Sequence, residues 1–419
     1  MIRNYCFSLI NYLRRHKIRT AIGGILLFWY IFCLPSPLFK EGYATVVESR
    51  EGKLLGGKIA PDGQWRFPER DTVPYKLREA ILAFEDAHFY YHWGVNPIST
   101  AKALLTNLRH GHTVRGGSTL TQQVIRLARK NKARTYGEKL IEAIWATRLE
   151  FRYSKEKILA LYASHAPFGG NVIGADMAAW RYFGVSVEQL SWAEACTLAV
   201  LPNAPGLIFP GHNQNALKKK RDFLLEKLLK NHTIDKTTYE LSLEEPLVER
   251  PHELPNIAPH LVERIARTTP NKRQVTTIDY YLQERVQEVI AKYYRHYKRF
   301  EVHNLCALVV DVQSREVLAY VGNSPTDEQH HKDVNIIHRP RSTGSVLKPF
   351  LYTAMLDSGE LLPQELVGDI PTHIGGYSPE NFENTYEGAV PADEALYRSL
   401  NIPFVLLLRQ YGISRFYQQ

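Results

Sequence analysis

Between residues 72 and 242 apolar side chains recur every three or four positions with few strand-like alternations, and at Pro246 that pattern stops. A period near 3.6 belongs to helices that each bury one stripe, so this stretch is expected to fold as a mostly α domain. Candidate helices cover 76–86, 98–109, 119–130, 137–151, 154–163, 173–182, 187–200 and 215–230. Pro246, Pro251, Pro255 and Pro259 then space out a stretch that reads as an interdomain linker. Beyond it the period changes. RQVTTID, residues 273–279, reads as a strand and 280–298 as a helix, and LCALVVDV and EVLAYVG read as two strands joined at Gln313–Ser314–Arg315. A chain of 419 residues with this break is a multidomain α+β protein.

Composition is that of a folded chain, 44% hydrophobic and 23% charged, and four scattered cysteines exclude a disulfide scaffold. The formal net charge of +9 raises nucleic-acid binding as a possibility. Location argues against it. Arg3, Arg14, Arg15, Lys17 and Arg19 crowd the N-terminus with no acidic residue among them, and the remaining excess is diffuse, with no stripe of arginines and aromatics. A basic run at Lys218–Arg221 precedes Asp222, Glu226 and leucines and reads as a solvated helix face.

Directly after Arg19, residues 20–39 carry no charge. A helix crossing ~30 Å of hydrocarbon needs about twenty such residues, so an N-terminal transmembrane helix is expected, ending at Pro35 and Pro37. The basic flank, residues 1–19, would keep the N-terminus cytoplasmic and place everything after about Lys40 on the far side of a bacterial inner membrane, in the periplasm. A cleaved signal peptide has the same two parts, but the apolar stretch is long for one and no A-x-A cleavage signal follows. Cys6 and Cys33 would then be unable to meet Cys196 and Cys306, and spacing alone does not say whether the last two pair.

Three segments of the helical domain carry groups suited to sugar chemistry. EDAHFYYHWG, residues 85–94, sets Glu85 beside Asp86 at the end of an apolar helix, with Phe89, His92 and Gly94 closing a turn. A carboxyl at such an edge can act as a general base if a partly apolar setting raises its pKa, although a lone Glu85 reads equally as a salt-bridged surface residue. In RGGSTLTQQ, residues 115–123, Gly116 and Gly117 permit a close backbone approach, and Ser118 or Thr119 caps the following helix. That helix start is a place for an anion such as a diphosphate. In RTYGEKLIEAIWATRLE, residues 134–150, Glu138 and Glu142 lie one turn apart and Lys139 precedes Glu142 by three, so a carboxylate and an ammonium can converge.

Taken in order, EDAHFYYHWG, RGGSTLTQQ, KLIEA and KEKILALYASHAPFGGNVIGADMAAWRYFG resemble the lysozyme-like family 51 peptidoglycan glycosyltransferase domain of the class A penicillin-binding proteins, and APFGGN looks most like that family's 1C branch. The resemblance implies a glycosyltransferase domain at 40–245, a linker at 246–272, and a polymerase that joins lipid II to a growing glycan strand with inversion. Glu85 matches the family's catalytic base for the acceptor hydroxyl, and Glu142 its second glutamate, near the departing diphosphate. Asp86, Phe89, His92, Gly94, Gly117, Ser118, Thr119, Gln122 and Gln123 match pocket positions, with Arg126 and Lys139 as cations for the diphosphate. A divalent cation, Mg²⁺ or Mn²⁺, would be held largely by the substrate phosphates. The region 97–117, with Leu104, Leu105 and Leu108 at helical spacing, would lean on membrane lipid in such a protein, although it reads equally as a core helix. Two departures stand out: Glu138 occupies the place of the family's arginine, leaving Arg134 or Arg148 to substitute, and Ala163 and Ser164 replace a leucine and an asparagine.

STGSVLKPF, residues 342–350, places Ser345 and Lys348 on one helical turn, so the amine can activate the hydroxyl as an acyl acceptor. Together with Ser399 and Asn401 this resembles the penicillin-binding transpeptidase site, with Ser345 the nucleophile that a β-lactam acylates, Lys348 its base, and Ser399 and Asn401 the groups that assist and hold substrate. A K-T-G strand is missing and residues 402–419 hold no lysine, so the expectation is an incomplete α/β transpeptidase module at 273–419 that does not acylate. His330 and His331, or His110 and His112, lack a third ligand at metal-site spacing. Two further readings compete, a lysozyme-like hydrolase and an inactive partner in a cell-wall synthesis complex. No organic cofactor or nucleic-acid partner is expected.

Overall fold

A computed structural model describes residues 17–110, 116–131 and 135–418. Arg3, Arg14, Arg15, His112, Arg115 and Arg134 lie outside the described residues. The chain forms two units that divide between Ile337 and His338.

The first unit opens with α1 (Lys17–Phe32), and this helix overturns the expected membrane span. Its 16 residues reach about 24 Å, short of the ~30 Å of a hydrocarbon core, and among the described residues no helix is long and apolar enough to cross a membrane. The uncharged run divides because Pro35 and Pro37 end the helix. Leu34, Leu38 and Phe39 beyond it are buried in the domain core, with Phe39 stacked on His165 at 3.5 Å. The single-pass topology and the inner-membrane and periplasmic placement drawn from that span fall with it. Instead α1 is tied to the domain, Tyr30 Oη lying 3.1 Å from Thr147 Oγ1 and Arg148 Nε donating to Ile31 O at 3.1 Å.

After α1 come the strands β1 (Thr45–Glu48), β2 (Leu54–Lys58) and β3 (Trp65–Arg66), and then the helices that periodicity anticipates. These are α2 (Tyr75–Glu85), α3 (Pro97–His110), α4 (Leu120–Ala128), α5 (Tyr136–Glu150) and α6 (Lys155–His165). The strands β4 (Pro167–Gly169) and β5 (Val172–Ile173) precede α7 (Ala175–Phe183), α8 (Trp192–Val200), α9 (Gln214–Lys230) and α10 (Lys236–Glu244). The expected helix at 187–200 is two elements, because Ser191 and Glu194 form a capping box that starts α8 afresh. Thr119, Thr135 and Ser154 cap α4, α5 and α6, each accepting from the backbone N–H three residues on. Leu77, Ile81, Leu120, Ile125, Leu149 and Ile158 fill the core these helices share.

The proline-spaced stretch holds a helix, α11 (Pro259–Thr268), which packs on β1 and β2, with Ile257 N donating to Leu55 O at 2.7 Å. Val262 of α11 joins Val47, Leu55, Ile278 and Tyr320 in a second small core. β6 (Arg273–Val275) then pairs parallel to β1, Val46 opposite Arg273, while β2 pairs antiparallel on the other side. The helix α12 (Tyr280–Tyr297) and the hairpin β7 (Ala307–Val310) and β8 (Val317–Val321) follow in the expected order. Arg315, at the expected turn, has φ +60.

The second unit packs α13 (Lys348–Asp357), α14 (Ala392–Tyr397), α15 (Asn401–Tyr411) and α16 (Ile413–Tyr417) with the antiparallel pair β9 (Leu366–Asp369) and β10 (Gly388–Pro391). Leu351, Met355, Val367, Val390, Phe404 and Leu407 form its core. Cys33, Cys196 and Cys306 are free thiols, so the last two do not pair.

Candidate active site

Buried Leu77, Ile81 and Leu82 fix the roll of α2, which delivers Glu85 as its last residue. Its carboxyl is half-buried, and Gln123 Nε2 on α4 donates to Oε2 at 2.7 Å. Burial raises the Glu85 pKa, the Gln123 hydrogen bond opposes that rise, the Asp86 carboxylate adds to it, and Lys220 and Arg126 pull it back. A carboxyl so placed can hold a proton taken from a substrate hydroxyl.

Asp86 points inward, away from that task. Its Oδ2 lies 2.9 Å from His92 Nε2 and accepts from Leu120 N at 3.0 Å. The helix start expected to receive a diphosphate therefore already holds an anion from the chain itself. Thr119 and Gln122 complete the cap reciprocally, and Thr119 Oγ1 donates to Gly94 O at 2.6 Å. Gly94, at φ +84, backs onto α5 so closely that a Cβ would lie 2.6 Å from Ala146 O, which leaves no room for any side chain. Phe89 is buried beneath, with Lys155 Nζ 4.4 Å above its ring. Gly117 meets α3 with a similar economy of space, a Cβ there falling 3.0 Å from Thr100 Cα.

One turn beyond Gln123 on α4, Arg126 Nε and Nη2 donate to the two oxygens of Glu142 at 2.9 and 2.8 Å, and Nη2 also reaches Ser118 Oγ at 3.0 Å. Both charged groups are largely buried. The expected convergence of Lys139 with Glu142 is not formed: Lys139 is exposed and no ion pair joins the two. Glu138, in the place of the family's arginine, pairs with Arg129, whose guanidinium lies 4.5 Å over the Trp145 ring. Arg126 and Arg129 on one side and Glu142 and Glu138 on the other make a two-rung ladder between α4 and α5. Arg148 is turned to Ile31 O and does not take the missing cation's place.

Several contributors escaped sequence reasoning. Lys155 Nζ donates to His92 O at 2.7 Å and Glu150 Oε1 at 2.8 Å, while Thr121 Oγ1 donates to the same Glu150 oxygen at 2.6 Å, so an ion pair and a hydroxyl brace the loop. Tyr162, 1% exposed, keeps a buried hydroxyl with no hydrogen-bond partner near Glu85. Lys218–Arg221 is not a uniformly solvated face either. Arg221 is 1% exposed and donates to Glu245 O and Leu243 O, and half-buried Lys220 acts electrostatically on Glu85. The signal available was position: the apolar residues Leu217, Leu224 and Leu228 of α9 put Arg221 on the buried stripe.

In the second unit Ser345 sits in a 3₁₀ turn, Gly344–Leu347, directly before Lys348 begins α13. Lys348 Nζ donates to Ser399 O at 2.7 Å, Ser399 Oγ at 3.3 Å and Asn401 Oδ1 at 2.7 Å, so three of the four expected groups meet. Ser345 is exposed and receives none of these bonds. Burial lowers the Lys348 pKa.

Among the described residues no group of three His, Cys, Asp or Glu side chains could hold a metal ion. Both Glu142 oxygens accept from Arg126.

Residues 56–229 match the transglycosylase family, and residues 305–419 match the penicillin-binding protein transpeptidase domain. Penicillin-binding protein 1C of Escherichia coli K12 is 36% identical over 384 residues, covering 91% of this chain and 50% of that protein. Penicillin-binding protein 1B of Vibrio cholerae is 28% identical over 391 residues, 87% of this chain and 50% of that protein. The crystal structure of penicillin-binding protein 1A from Haemophilus influenzae superposes with a TM-score of 0.39 at 18% identity, covering 90% of this chain and 63% of that one, too loosely to carry weight. The chain belongs to the class A penicillin-binding proteins. It spans about half the length of the curated relatives it matches.

Proposed function

We propose that the first unit is a peptidoglycan glycosyltransferase that polymerises lipid II into glycan strands with inversion at the anomeric carbon. The observation that carries this reading is a half-buried Glu85, its pKa raised by burial, bonded to Gln123 of α4 one turn before Arg126, which pairs with Glu142. Glu85 takes the proton of the acceptor sugar's 4-hydroxyl as that oxygen bonds to the anomeric carbon of the growing chain. The bond from that carbon to the lipid diphosphate breaks, and the departing charge falls to Arg126, with Arg129 at the C-cap of α4 and exposed Lys139 on α5 as the further cations. Asp86, Phe89, His92, Gly94, Gly117, Ser118, Thr119 and Gln122 hold the loop and helix start that aim Glu85, and Gln123 orients its carboxyl directly. Any Mg²⁺ or Mn²⁺ arrives on the donor's phosphate oxygens.

Labelled lipid II incubated with the 419-residue chain is expected to yield a ladder of glycan products. Absence of a ladder together with shortening of preformed strands would replace this reading by the hydrolase one.

Ser345, Lys348, Ser399 and Asn401 form the acyl-transfer constellation of the second unit. Because Lys348 directs its protons to Ser399 and Asn401, Ser345 lacks its base in this arrangement. The 419-residue chain is therefore expected not to become covalently labelled by a fluorescent penicillin. A labelled band that disappears in Ser345→Ala would show that Lys348 reaches the serine after all.

A further inference from the structure

Beyond the N-terminus the sequence spreads its positive charge diffusely, yet folding gathers part of it on one helix end. Over its last two turns α12 carries Lys292 and Arg295, and the 3₁₀ turn Lys298–Phe300 that continues it adds Lys298 and Arg299, with no acidic residue from Lys292 to Phe300. Gln283 and Tyr294 face inward, Gln283 Nε2 donating to Tyr320 O at 3.1 Å, so the four cations stand in solvent. Among the described residues none of the four forms an ion pair: Glu288 is paired with Arg285, and Glu301 and Asp327 bond to His303 and His330. Beside them lies a run of exposed rings. Tyr293 and Tyr297 stack with centroids 6.0 Å apart, His296 meets Tyr297 edge-on at 5.1 Å, and Phe300 follows, 63% exposed. The helix dipole favours cations in the last turn, but that accounts neither for Lys292 nor for the rings, and Arg295 and Arg299, one turn apart, repel each other. Exposed apolar surface rimmed by unpaired charge marks an interaction site.

We infer that this end of α12 is a docking surface for an anionic glycan strand, its sugar rings lying on Tyr293, Tyr297 and Phe300 and its carboxylates meeting Lys292, Arg295 and Arg299. The choice of a glycan rests on the glycosyltransferase reading above, under which the product is a chain of sugar rings that carry peptide carboxylates. Charge complementarity supports it, since a guanidinium fork and an ammonium both pair with carboxylates. The rings supply the second half of the match: a tyrosine offers a rigid apolar face for the C–H face of a sugar and a hydroxyl for its polar rim. A single-stranded nucleic acid brings stackable rings and charge as well, and an anionic bilayer brings charge, so both belong in the test.

Labelled, uncross-linked glycan strands with their stem peptides are titrated with the 419-residue chain, and fluorescence anisotropy reads binding at low and high salt. The wild type is expected to bind, more weakly as salt rises, and to bind strands stripped of their peptides less well. The double variant Lys292→Gln/Arg295→Gln loses roughly tenfold in affinity at low salt and most of the salt dependence. Tyr293→Ala/Tyr297→Ala loses a similar factor and keeps the salt dependence, while Arg285→Gln, which removes an exposed cation that is already paired, binds as the wild type does. Lys292→Arg/Arg295→Lys keeps the charges and restores binding, which holds the inference to account should the neutral variant fold poorly. Because the site at Glu85 also holds glycan under the reading above, the differences between variants carry the result. Equal binding by wild type and both double variants overturns the surface, as does tighter binding of a single-stranded oligonucleotide or of anionic vesicles than of peptide-bearing strands. Strand binding that depends on these residues in a wild type that makes no polymer supports the surface and overturns the polymerase reading instead.

Discussion

Glu85→Gln is expected to reduce lipid II polymerisation by about 10²–10⁴-fold while leaving the melting temperature unchanged or slightly higher. The rate falls because an amide cannot accept the acceptor hydroxyl's proton, yet Gln keeps the shape that Gln123 Nε2 bonds at 2.7 Å. The stability direction follows from the sign of the shift. Burial raises the Glu85 pKa in the folded chain, so folding is favoured by the protonated form below the unfolded pKa, and that advantage is lost as pH rises through the folded one. At neutral pH the wild type carries the cost of a partly buried carboxylate, and the neutral amide removes it. Product ladders and thermal melts of both proteins check the two halves together. Equal ladders from wild type and variant would remove Glu85 from the role of base.

Arg126→Leu should be the most destabilising change at the site, costing about 3–5 kcal/mol, because it strands the Glu142 carboxylate without its bidentate partner in a largely buried setting. The double variant Arg126→Leu/Glu142→Leu is expected to be more stable than that single variant, since two apolar side chains fill the same space with no unpaired charge. Denaturant unfolding of the wild type, both single variants and the double variant measures the coupling. Strictly additive losses would mean that the pair is solvated in practice and contributes only position. Polymerisation is expected to be lost in all three variants, which separates the pair's chemical role from its part in stability.

Helices were the legible part of this fold. α2, α3, α5, α7 and α9 fall within two residues of the ranges that apolar spacing predicts, because each buries one stripe against a common core and so carries the period in its own sequence. Strands β6, β7 and β8 lie within segments read as strands, but β1 to β5 were not legible. β1 is buried along its whole length rather than on alternate residues, so its period-two signal is erased, and its parallel partner β6 lies more than two hundred residues away. The uncharged N-terminal run misled for a related reason. Hydropathy counts apolar residues without saying what covers them, and here Leu34, Leu38 and Phe39 are covered by the domain's own core.

The site divides the same way. Spacing offered the Glu138–Glu142 pair and the Ser118 or Thr119 cap, because local backbone geometry puts i, i+3 and i+4 groups together wherever a helix forms, while Glu85, Gln123 and Arg126 were singled out by the resemblance of the ordered motifs. The sequence by itself thus determined the family and the mostly α character of the first unit, and it singled out the carboxyl proposed here to take the proton. Tertiary structure alone decided which groups each charge meets: Asp86 on the α4 start, Arg126 on Glu142, Arg129 on Glu138, and Lys348 on Ser399 and Asn401. The reason is that a carboxyl's pKa and an ion pair's worth depend on distance and burial in space, and those are set by how helices pack rather than by how far apart their residues lie along the chain.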